Sequence, residues 1–351
     1  MCHFKKNSFR GKELKFENVT IVGAGSSLAK REVGNTELCR FLSVTPDWIE
    51  KKTGIKVRRI ASNDESASSF ALDASIFALN DAGIDAQEVG LIVVATFSAD
   101  YVFPPAAVRL QSDLGIQGGH AFDVQANCSG LVTALTIAAE RMSCDASISY
   151  ALVVGLELCS RYAESTDFES AIYLSDGSGA IVIGRSNNKG FLGSAFWTES
   201  SNFESVRLRG GGSSWREVDL YKSSRHIEMN GLATWRQAIT FLPKVIETAA
   251  LKAGIEVESI EKFVFHQANL RLIEYLMKKM KRSMDSTFIN VDRIGNTGAA
   301  SIAIAVSEAK SLGFFDDGEI VCLAGVGAGF TFGASLWRWG SVNSQDEDSI
   351  I

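Results

Sequence analysis

Residues 123–140 read Asp-Val-Gln-Ala-Asn-Cys-Ser-Gly-Leu-Val-Thr-Ala-Leu-Thr-Ile-Ala-Ala-Glu, and the fold of the chain can be predicted from them. The pattern indicates the end of an apolar strand, a turn of small residues at 125–129, and then a helix rich in alanine and leucine. Cys128 lies where the turn becomes the helix, beside the unpaired N–H groups and the positive end of the helix dipole. We expect this position to lower the pKa of the thiol, because it stabilises the thiolate. A buried structural cysteine is the alternative, since free cysteines usually pack as small apolar residues.

The composition is typical of a globular protein with a large core. The chain has 351 residues, 46% of them hydrophobic and 22% charged, which predicts two domains or two fused units. Its net charge of −6 argues against general nucleic-acid binding. The six cysteines form no CxxC motif, which favours a reducing compartment and argues against a metal site. Since no apolar run is long enough to span a membrane and no secretory leader is recognisable, we expect a cytoplasmic protein without membrane association.

One strand near the beginning ends in glycines that could indicate a dinucleotide site. Residues 19–25, Val-Thr-Ile-Val-Gly-Ala-Gly, predict a strand that runs into a glycine turn. The third glycine of the dinucleotide motif is missing after Gly25, and no clear helix follows at once. A nucleotide-binding oxidoreductase therefore stays an alternative function, which absence of NAD binding would exclude.

Three short patterns recur at nearly the same separation, about half the chain. They pair Ala82-Gly83-Ile84 with Ala253-Gly254-Ile255, Cys128-Ser129-Gly130 with Asn296-Thr297-Gly298, and Val153-Val154-Gly155 with Leu323-Ala324-Gly325. Such a recurrence predicts an internal duplication, in which two homologous α/β halves share one core. The halves are predicted at 1–186 and 187–340, followed by a polar tail at 341–351. Residues 197–226 form a polar insert that contains a glycine run, and we interpret it as a flexible surface loop.

Two further side chains are predicted to lie close to Cys128. His266 follows an apolar strand and precedes a helix, and the carboxyl ends of strands are where α/β sites assemble. The duplication places Asn296 at the position in the second half that Cys128 occupies in the first. Two helix N-termini would then meet, with His266 close to both. The glycine-rich stretch 325–329 can supply a backbone N–H to an oxyanion in the same place.

These motifs together resemble the β-ketoacyl-acyl carrier protein synthase III family, a branch of the thiolase-fold condensing enzymes. The matching stretches are Asn127–Gly130, His266–Arg271, Gly295–Ser301, Gly327–Thr331, Asp47–Ile49 with Thr53–Ile55, and Phe103-Pro104. The resemblance covers about residues 19 to 339, in order. It implies an α/β thiolase-like fold, in which the two duplicated halves form a five-layered αβαβα core.

The resemblance implies a role for each residue of the predicted centre. Cys128 would be the nucleophile that accepts an acyl group from acyl-CoA, with the backbone N–H groups of Cys128 and Ala328 as its oxyanion hole. His266 and Asn296 would bind the thioester carbonyl of malonyl-acyl carrier protein and stabilise the enolate left by decarboxylation. The enolate would attack the acyl-cysteine in a Claisen condensation, which gives the 3-oxoacyl product that starts fatty acid synthesis. Thioester exchange needs a thiolate and an enolate needs neutral donors, so the residue types fit this chemistry.

The resemblance also implies binding residues and an assembly. The residues that match those binding coenzyme A and its pantetheine arm are Trp48, Lys52, Arg161 and Asn269, and Lys52 stands where the family has an arginine. Those that match a carrier-protein surface are Gln267, Ala268, Asn269, Leu270, Arg271, Lys278 and Lys279. The basic ones could instead be only a solvated helix face. Phe103 matches a residue that reaches into the acyl pocket of the partner subunit, which implies a homodimer. The resemblance implies no metal and no tightly bound cofactor, with acyl-CoA and carrier-protein thioesters as substrates.

Other functions stay open at this point. A related enzyme of secondary metabolism would condense or transfer another acyl group, to form alkylquinolones, resorcinols, polyketides or esters. A non-catalytic partner subunit is a second alternative, although such subunits usually lack one of the residues Cys128, His266 and Asn296. The sequence does not specify the length, branching or aromaticity of the acyl group, nor whether coenzyme A or a carrier protein delivers it.

Overall fold

The computed structural model describes residues 19–186, 190–213 and 225–340, and the predicted tail 341–351 lies outside these residues. The strands are β1 (Val19–Leu28), β2 (Arg31–Gly34), β3 (Val57–Ile60), β4 (Val89–Ala95), β5 (His120–Val124), β6 (Tyr150–Leu158), β7 (Asp176–Arg185), β8 (Phe191–Thr198), β9 (Val206–Leu208), β10 (Ile227–Met229), β11 (Lys262–Phe265), β12 (Ile320–Gly327) and β13 (Thr331–Arg338). The helices are α1 (Asn35–Leu38), α2 (Pro46–Thr53), α3 (Ala67–Ala82), α4 (Ala106–Asp113), α5 (Gly130–Cys144), α6 (Gly231–Ala253), α7 (Leu270–Lys279), α8 (Val291–Ile294) and α9 (Ser301–Ser311).

Two large sheets share one plan. The first has the strand order β1-β7-β6-β4-β5, and the second has the order β8-β13-β12-β11. In each sheet an antiparallel pair of strands, β6–β7 or β12–β13, continues into a parallel pair, β6–β4 or β12–β11. Where the first sheet adds β5, the second has a single parallel bridge between Phe263 and Thr287. The predicted boundary at 186/187 falls between β7 and β8, and the division into two duplicated domains stays a prediction.

The buried apolar residues show how the sheets and helices are stacked. Helices α5 and α9 lie between the sheets, since one cluster joins Leu135 and Ile302 of these helices to Val93 of the first sheet and Leu323 of the second. Helices α3 and α4 cover the other face of the first sheet, where Ile92 is buried. Helices α6 and α7 cover the other face of the second sheet. Because both faces of each sheet are covered, its central strands are mostly apolar. The predicted five-layered αβαβα core is confirmed.

The glycines of the possible dinucleotide motif have a packing role. Gly23 and Gly25 lie inside β1, where a Cβ on either would come within 2.4 Å of a backbone oxygen of α3, Ala78 O or Ala74 O. Their bare backbone lets the helix rest directly on the strand. They therefore form no glycine turn at the end of a strand, and the oxidoreductase alternative loses the feature on which it was based.

The two halves also correspond at the turns that precede α5 and α9. A single 3-10 turn at 127–129 precedes α5, and another at 298–300 precedes α9. Their first residues both have positive φ, 50° at Asn127 and 53° at Gly298. The structural counterpart of Cys128 is therefore Ala299, and the predicted equivalence of Cys128 and Asn296 is wrong. Asn296 lies just before its turn, whereas Cys128 lies inside its own. The similar stretches that begin at Cys128 and Asn296 therefore occupy different places relative to the helix that follows.

The insert at 197–226 is only partly a loop. It contains the strand β9, which pairs antiparallel with β10 and forms a small ribbon beside the second sheet. The interpretation of the whole insert as a flexible loop is therefore wrong for this part, while residues 214–224 lie outside the described residues. Among the helices of the described ranges, none is both long and apolar enough to cross a membrane.

Candidate active site

The 3-10 turn at 127–129 presents Cys128 immediately before α5, as predicted. The turn is attached to the end of the second sheet by two contacts: Asn127 Nδ2 donates to Ala328 O at 3.2 Å, and the hydroxyls of Ser129 and Thr331 lie 2.8 Å apart. A Cβ on Gly327 would lie 2.6 Å from Ala126 O, so only glycine allows β12 to approach this closely. The nucleophile turn of the first half is thus held by the strand ends of the second.

The protonation state of Cys128 differs from the prediction. Burial raises the pKa of its thiol to about 12, and the nearby Glu157 acts in the same direction. Burial also raises the pKa of Glu157 well above its usual range, which favours its neutral form. A neutral carboxyl group repels a thiolate little, so desolvation is the dominant cause of the raised pKa of Cys128. Burial outweighs the helix end, so the expected lowering of the pKa is wrong and the thiol is protonated at neutral pH. The residue nevertheless keeps part of its surface open to a cavity.

His266 directly follows β11 and is only 6% exposed. Its Nδ1 lies 2.7 Å from Ser301 Oγ, at the start of α9. Burial lowers the pKa of His266 to about 4, so the imidazole is neutral at neutral pH. Because Nδ1 is engaged with Ser301, Nε2 is the ring nitrogen that a ligand can contact.

Asn296 is fixed on the same side by its backbone and its amide. Its N–H donates to Tyr173 O at 2.8 Å, and its carbonyl accepts from Ser175 N at 2.8 Å. Its side-chain Oδ1 accepts from Gly298 N at 2.9 Å. Since Oδ1 is oriented by this contact, the NH₂ group of the amide is what Asn296 can offer to a ligand.

One cavity of about 1370 Å³ contains the predicted centre. Its walls include the three predicted catalytic side chains and five further predicted residues: Cys128, His266, Asn296, Ala328, Arg161, Ala268, Asn269 and Phe103. The ribbon β9–β10 and the start of α6 form another part of the wall. The structure therefore brings the sequence-predicted centre together, although nothing in the geometry alone assigns each residue its role. Within the described ranges, no group of three His, Cys, Asp or Glu side chains is placed to hold a metal ion.

Trp48 and Lys52 lie outside the cavity wall, in a small aromatic cluster. Lys52 Nζ lies 4.6 Å from the centroid of the Trp48 ring and 5.3 Å from that of Phe168. The two rings meet edge to face with centroids 5.8 Å apart. The side chain of Lys52 is also 3.9 Å from Glu169. With 37% of its surface exposed, Trp48 still offers an accessible face to a planar ring.

The predicted carrier-protein residues divide into buried and exposed ones. Gln267 is only 1% exposed. Its side-chain Nε2 donates to Phe265 O at 2.8 Å, and its Oε1 accepts from Asn290 N at 3.1 Å. The prediction that Gln267 contacts a carrier protein is therefore wrong, since its side chain joins the end of β11 to the segment 288–291 at the start of α8. Leu270 is partly buried and packs closely against Gly54. A Cβ added to Gly54 would lie 2.5 Å from the Cβ of Leu270. Ala268 and Asn269 lie at the cavity, and the Asn269 side chain also caps α7.

The predicted basic residues of α7 are near the surface but partly engaged. Arg271 pairs with Glu274 at 3.0 Å and donates to Lys51 O at 3.2 Å. Lys279 Nζ donates to Ile239 O at 2.5 Å, whereas Lys278 is exposed at the end of the helix. The cationic surface that remains is smaller than the sequence pattern predicts.

Two residues near the centre were not predicted from the sequence. Ser301, which bonds to His266, is the last residue of the matching stretch Gly295–Ser301, and that membership was the available signal, although no role was assigned to it. Glu157 is a carboxylic acid at 0% exposure near the end of β6, and a lone acid in an otherwise apolar strand was the available signal.

Comparison with known proteins identifies the family. Residues 122–200 match the family described as 3-Oxoacyl-[acyl-carrier-protein (ACP)] synthase III, and residues 251–339 match its C-terminal counterpart. The β-ketoacyl-[acyl-carrier-protein] synthase III of Chelativorans sp. (strain BNC1) is 39% identical over 326 residues, which cover 91% of this chain and 99% of that protein. The chain belongs to the β-ketoacyl-[acyl-carrier-protein] synthase III family. It is a synthase III-type acyltransferase.

Other members of the synthase III family show the same extent of similarity. The relative from Syntrophomonas wolfei is 35% identical over 92% of this chain and 98% of its own length. The crystal structure of the Aquifex aeolicus enzyme superposes with a TM-score of 0.84 at 32% identity, covering 92% of this chain and all of that one. A priming β-ketosynthase from the R1128 polyketide pathway superposes with a TM-score of 0.86 at 30% identity, covering 93% and 97% of the two chains. The names of the curated relatives favour the fatty-acid enzyme over the secondary-metabolism alternative.

Proposed function

We propose that this chain condenses an acyl group from acyl-CoA with malonyl-acyl carrier protein, and so forms the 3-oxoacyl product that initiates fatty acid synthesis. The observation that supports this most is the convergence of Cys128, His266 and Asn296 on one cavity in a chain of the synthase III family. A thiol that can be acylated lies there together with two neutral groups that can donate hydrogen bonds.

The first half-reaction is transfer of the acyl group to Cys128. The sulfur attacks the thioester carbonyl, and the oxyanion accepts hydrogen bonds from the backbone N–H groups of Cys128 and Ala328. The contact between Asn127 Nδ2 and Ala328 O holds the backbone of Ala328 next to the nucleophile turn. When the tetrahedral intermediate collapses, the coenzyme A thiolate leaves and takes up the proton that the Cys128 thiol has lost.

The second half-reaction generates the carbon nucleophile. The malonyl thioester oxygen accepts hydrogen bonds from His266 Nε2–H and from the Asn296 amide. Carbon dioxide then leaves, and its bonding electron pair forms the enolate, whose charge these two donors stabilise. The enolate carbon attacks the acyl carbonyl on Cys128, the bond from carbon to sulfur breaks, and the product leaves. The cysteine is released as a thiolate and takes up a proton from water, since its own proton departed with coenzyme A. Ser301 Oγ donates to Nδ1 in this scheme, which fixes the tautomer that carries the proton on Nε2.

Substrate binding uses the mouth of the cavity and the surface around it. Asn269 lines the cavity and would contact the pantetheine arm. Arg161, which also lines it, would hold the adenine together with Trp48, and Lys52 beside Trp48 would make a further contact with coenzyme A. The exposed end of α7, with Lys278, would meet an acidic carrier protein. No cofactor beyond the thioester substrates is needed for these steps.

The protein would act as a homodimer. Tyr101, Val102 and Phe103 are respectively 61%, 90% and 83% exposed, and the same residues reach the cavity wall. Three adjacent exposed apolar side chains are unusual on a monomer surface. A second copy that covers them would also place Phe103 at the acyl end of the partner's cavity.

The experiment that tests the proposed function is intact-mass analysis after incubation with a panel of acyl-CoAs. The adduct identifies the acyl group that is accepted, and addition of malonyl-acyl carrier protein should remove it and yield a 3-oxoacyl product. Cys128→Ala is the control, because it should stay folded and gain no mass. A normal adduct on this variant would contradict the assignment of the nucleophile, and lack of condensation by the wild-type protein would contradict the proposed reaction.

A further inference from the structure

Glu157 is a fully buried acid near the end of β6, close to the cavity but not used by the proposed chemistry. Ser98 Oγ donates to its carboxyl group, and Phe97 N lies 3.3 and 3.4 Å from its two oxygens. The backbone amide of Ala299 also lies close enough to favour its ionised form. A buried carboxyl group with several donors around it is oriented by them and is costly to remove.

The side chain of Glu157 packs on the turn at 298–300. A Cβ on Gly298 would lie 2.8 Å from Glu157 Cγ, so only a glycine fits against this side chain. The N–H of Gly298 holds the Asn296 amide at 2.9 Å, and Ser301, directly after the turn, holds His266 at 2.7 Å. One acid of the first half therefore contacts the single turn that connects two of the three predicted catalytic side chains.

The geometry points to Glu157 as a positioning residue that holds the 298–300 turn, and through it Asn296 and His266, in place for the decarboxylation half of the reaction. This inference rests on the proposed function, since that function assigns the decarboxylation to Asn296 and His266. Glu157 itself would touch neither substrate.

The corresponding position in the second half supports a specific role. Gly155 of β6 and Gly325 of β12 occupy matching places, since a Cβ on Gly155 would lie 2.5 Å from Ala299 O and one on Gly325 would lie 3.2 Å from Cys128 O. Two residues further along, the first half has Glu157 and the second has Gly327. The fold thus accepts a bare backbone at this position, and on the Cys128 side the glycine lets β12 approach the nucleophile turn, where a Cβ would lie 2.6 Å from Ala126 O. The acidic side chain is present only beside the turn that holds Asn296 and His266, the proposed donors to the enolate.

The charge of Glu157 also fits this role. Burial raises its pKa well above the usual range, and the groups that face it are Cys128, Cys159 and Tyr162, whose pKa values are all raised in turn. An anion here would oppose both the sulfur nucleophile and the enolate. A neutral carboxyl group keeps the hydrogen bonds to the turn without that repulsion.

The test compares Glu157→Ala with the conservative Glu157→Gln and measures the two half-reactions separately. Acylation is followed by intact mass with acyl-CoA, and decarboxylation by release of carbon dioxide from malonyl-acyl carrier protein. We expect Glu157→Ala to lose about 100-fold in decarboxylation, the scale of a displacement of about 1 Å at a reacting group, with little change in acylation. Glu157→Gln should keep both half-reactions within a few-fold of the wild type. Gly298→Ala, whose added methyl group would push the same turn away from Glu157, should reproduce the selective loss if Glu157→Ala does not fold.

Several outcomes would overturn the inference. Equal loss of both half-reactions in a folded Glu157→Ala variant would indicate a general structural role, and unchanged decarboxylation would indicate no role. A crystal structure of the variant gives a readout that does not depend on activity: we expect the contacts Gly298 N to Asn296 Oδ1 and Ser301 Oγ to His266 Nδ1 to be displaced. If both contacts superpose on those of the wild type, the inference fails even if the enzyme has another activity. A wild-type protein that neither accepts an acyl group nor decarboxylates would refute the proposed function, and the crystal comparison would still decide the role of Glu157.

Discussion

Ser301 Oγ lies 2.7 Å from Nδ1 of His266, so the first residue of one inner helix fixes the imidazole at the end of a neighbouring strand. This contact leaves Nε2 for a ligand and links the orientation of the ring to the start of α9. It also involves the loop after β11, since Gln267 N lies 3.3 Å from the same hydroxyl. The hydroxyl therefore serves as the partner of a catalytic candidate and as an anchor for the next residue.

Removing this hydroxyl should weaken the second half-reaction. In Ser301→Ala the imidazole loses the partner that selects its tautomer, and we expect decarboxylation to fall about 10-fold, as when the partner that orients a ligating histidine is removed. Acylation of Cys128 should change little. Ser301→Thr keeps a hydroxyl and serves as the control. Equal decarboxylation rates in the alanine variant and the wild type would show that the ring is oriented by other contacts.

The pH dependence of condensation should show no titration of His266 near neutrality. Burial lowers the pKa of His266 to about 4, below its ordinary value of 6.5, so the ring is neutral at pH 6 to 8 and becomes charged only in acid. The rate at saturating substrate should therefore be independent of this group in that range and fall as the pH approaches about 4. An activity loss with a midpoint near pH 6.5 that disappears in His266→Asn would contradict this expectation.

Alkylation should report the protonation state of Cys128. Because burial raises the pKa of the thiol to about 12, the thiolate fraction should rise about tenfold per pH unit between pH 7 and 9. The rate of iodoacetamide addition, measured by intact mass, should rise in the same proportion. Cys128→Ala gives the background from the exposed Cys144. A rate that is already constant below pH 8 would mean that the helix end, and not burial, determines the pKa.

Substitutions of His266 and Asn296 should separate the two half-reactions. His266→Ala and Asn296→Ala should still accept an acyl group, because neither donor contacts the oxyanion of acyl transfer in the proposed scheme. Each should lose on the order of 10²–10³ in decarboxylation, the usual effect of removing one donor to a developing oxyanion. The opposite result, lost acylation with retained decarboxylation, would make His266 the general base for the thiol.

The exposed segment at 101–103 should be a subunit interface. We expect sedimentation at micromolar concentration to give a dimer, with an interface above about 2,000 Å². Phe103→Asp should shift the protein toward the monomer, because it would bury a charge against apolar surface. Val108→Asp on α4 is a matched control at a less exposed apolar residue outside the segment. An active wild-type protein that sediments as a monomer would contradict the expectation.

The sequence predicts those features that depend on local patterns. The strand, turn and helix around Cys128 are found where the pattern placed them. In the structure Thr45 also caps α2 through a bond from Trp48 N, with Pro46 as the first helical residue, as their residue types favour. These features follow from propensity and capping, which act over a few residues.

The features that the sequence did not predict depend on contacts between distant parts of the chain. Whether the helix end or burial controls Cys128 depends on the second sheet, which closes over the turn. Gln267 lies in a motif predicted to be on the surface, yet its side chain turns inward because the N–H groups of Asn290 and Val291, beyond α7, need an acceptor there. The register of the duplication could not be derived from three similar residues, since the structural match lies in the positive φ at Asn127 and Gly298. Glu157 is significant only because Gly298 lies against it.

The reciprocal glycines have a consequence for how the chain can be divided. Gly155 makes room for the turn at Ala299, and Gly325 makes room for the turn at Cys128. Each half therefore supplies the strand surface on which the other half's reactive turn packs. A fragment that ends after β7 would retain the nucleophile Cys128 without the strand surface on which its turn packs. The remaining fragment would retain the donors His266 and Asn296 without the strand surface that supports the 298–300 turn. Catalytic competence would thus appear only upon reassociation of the fragments, even if each of them collapsed to a compact state by itself.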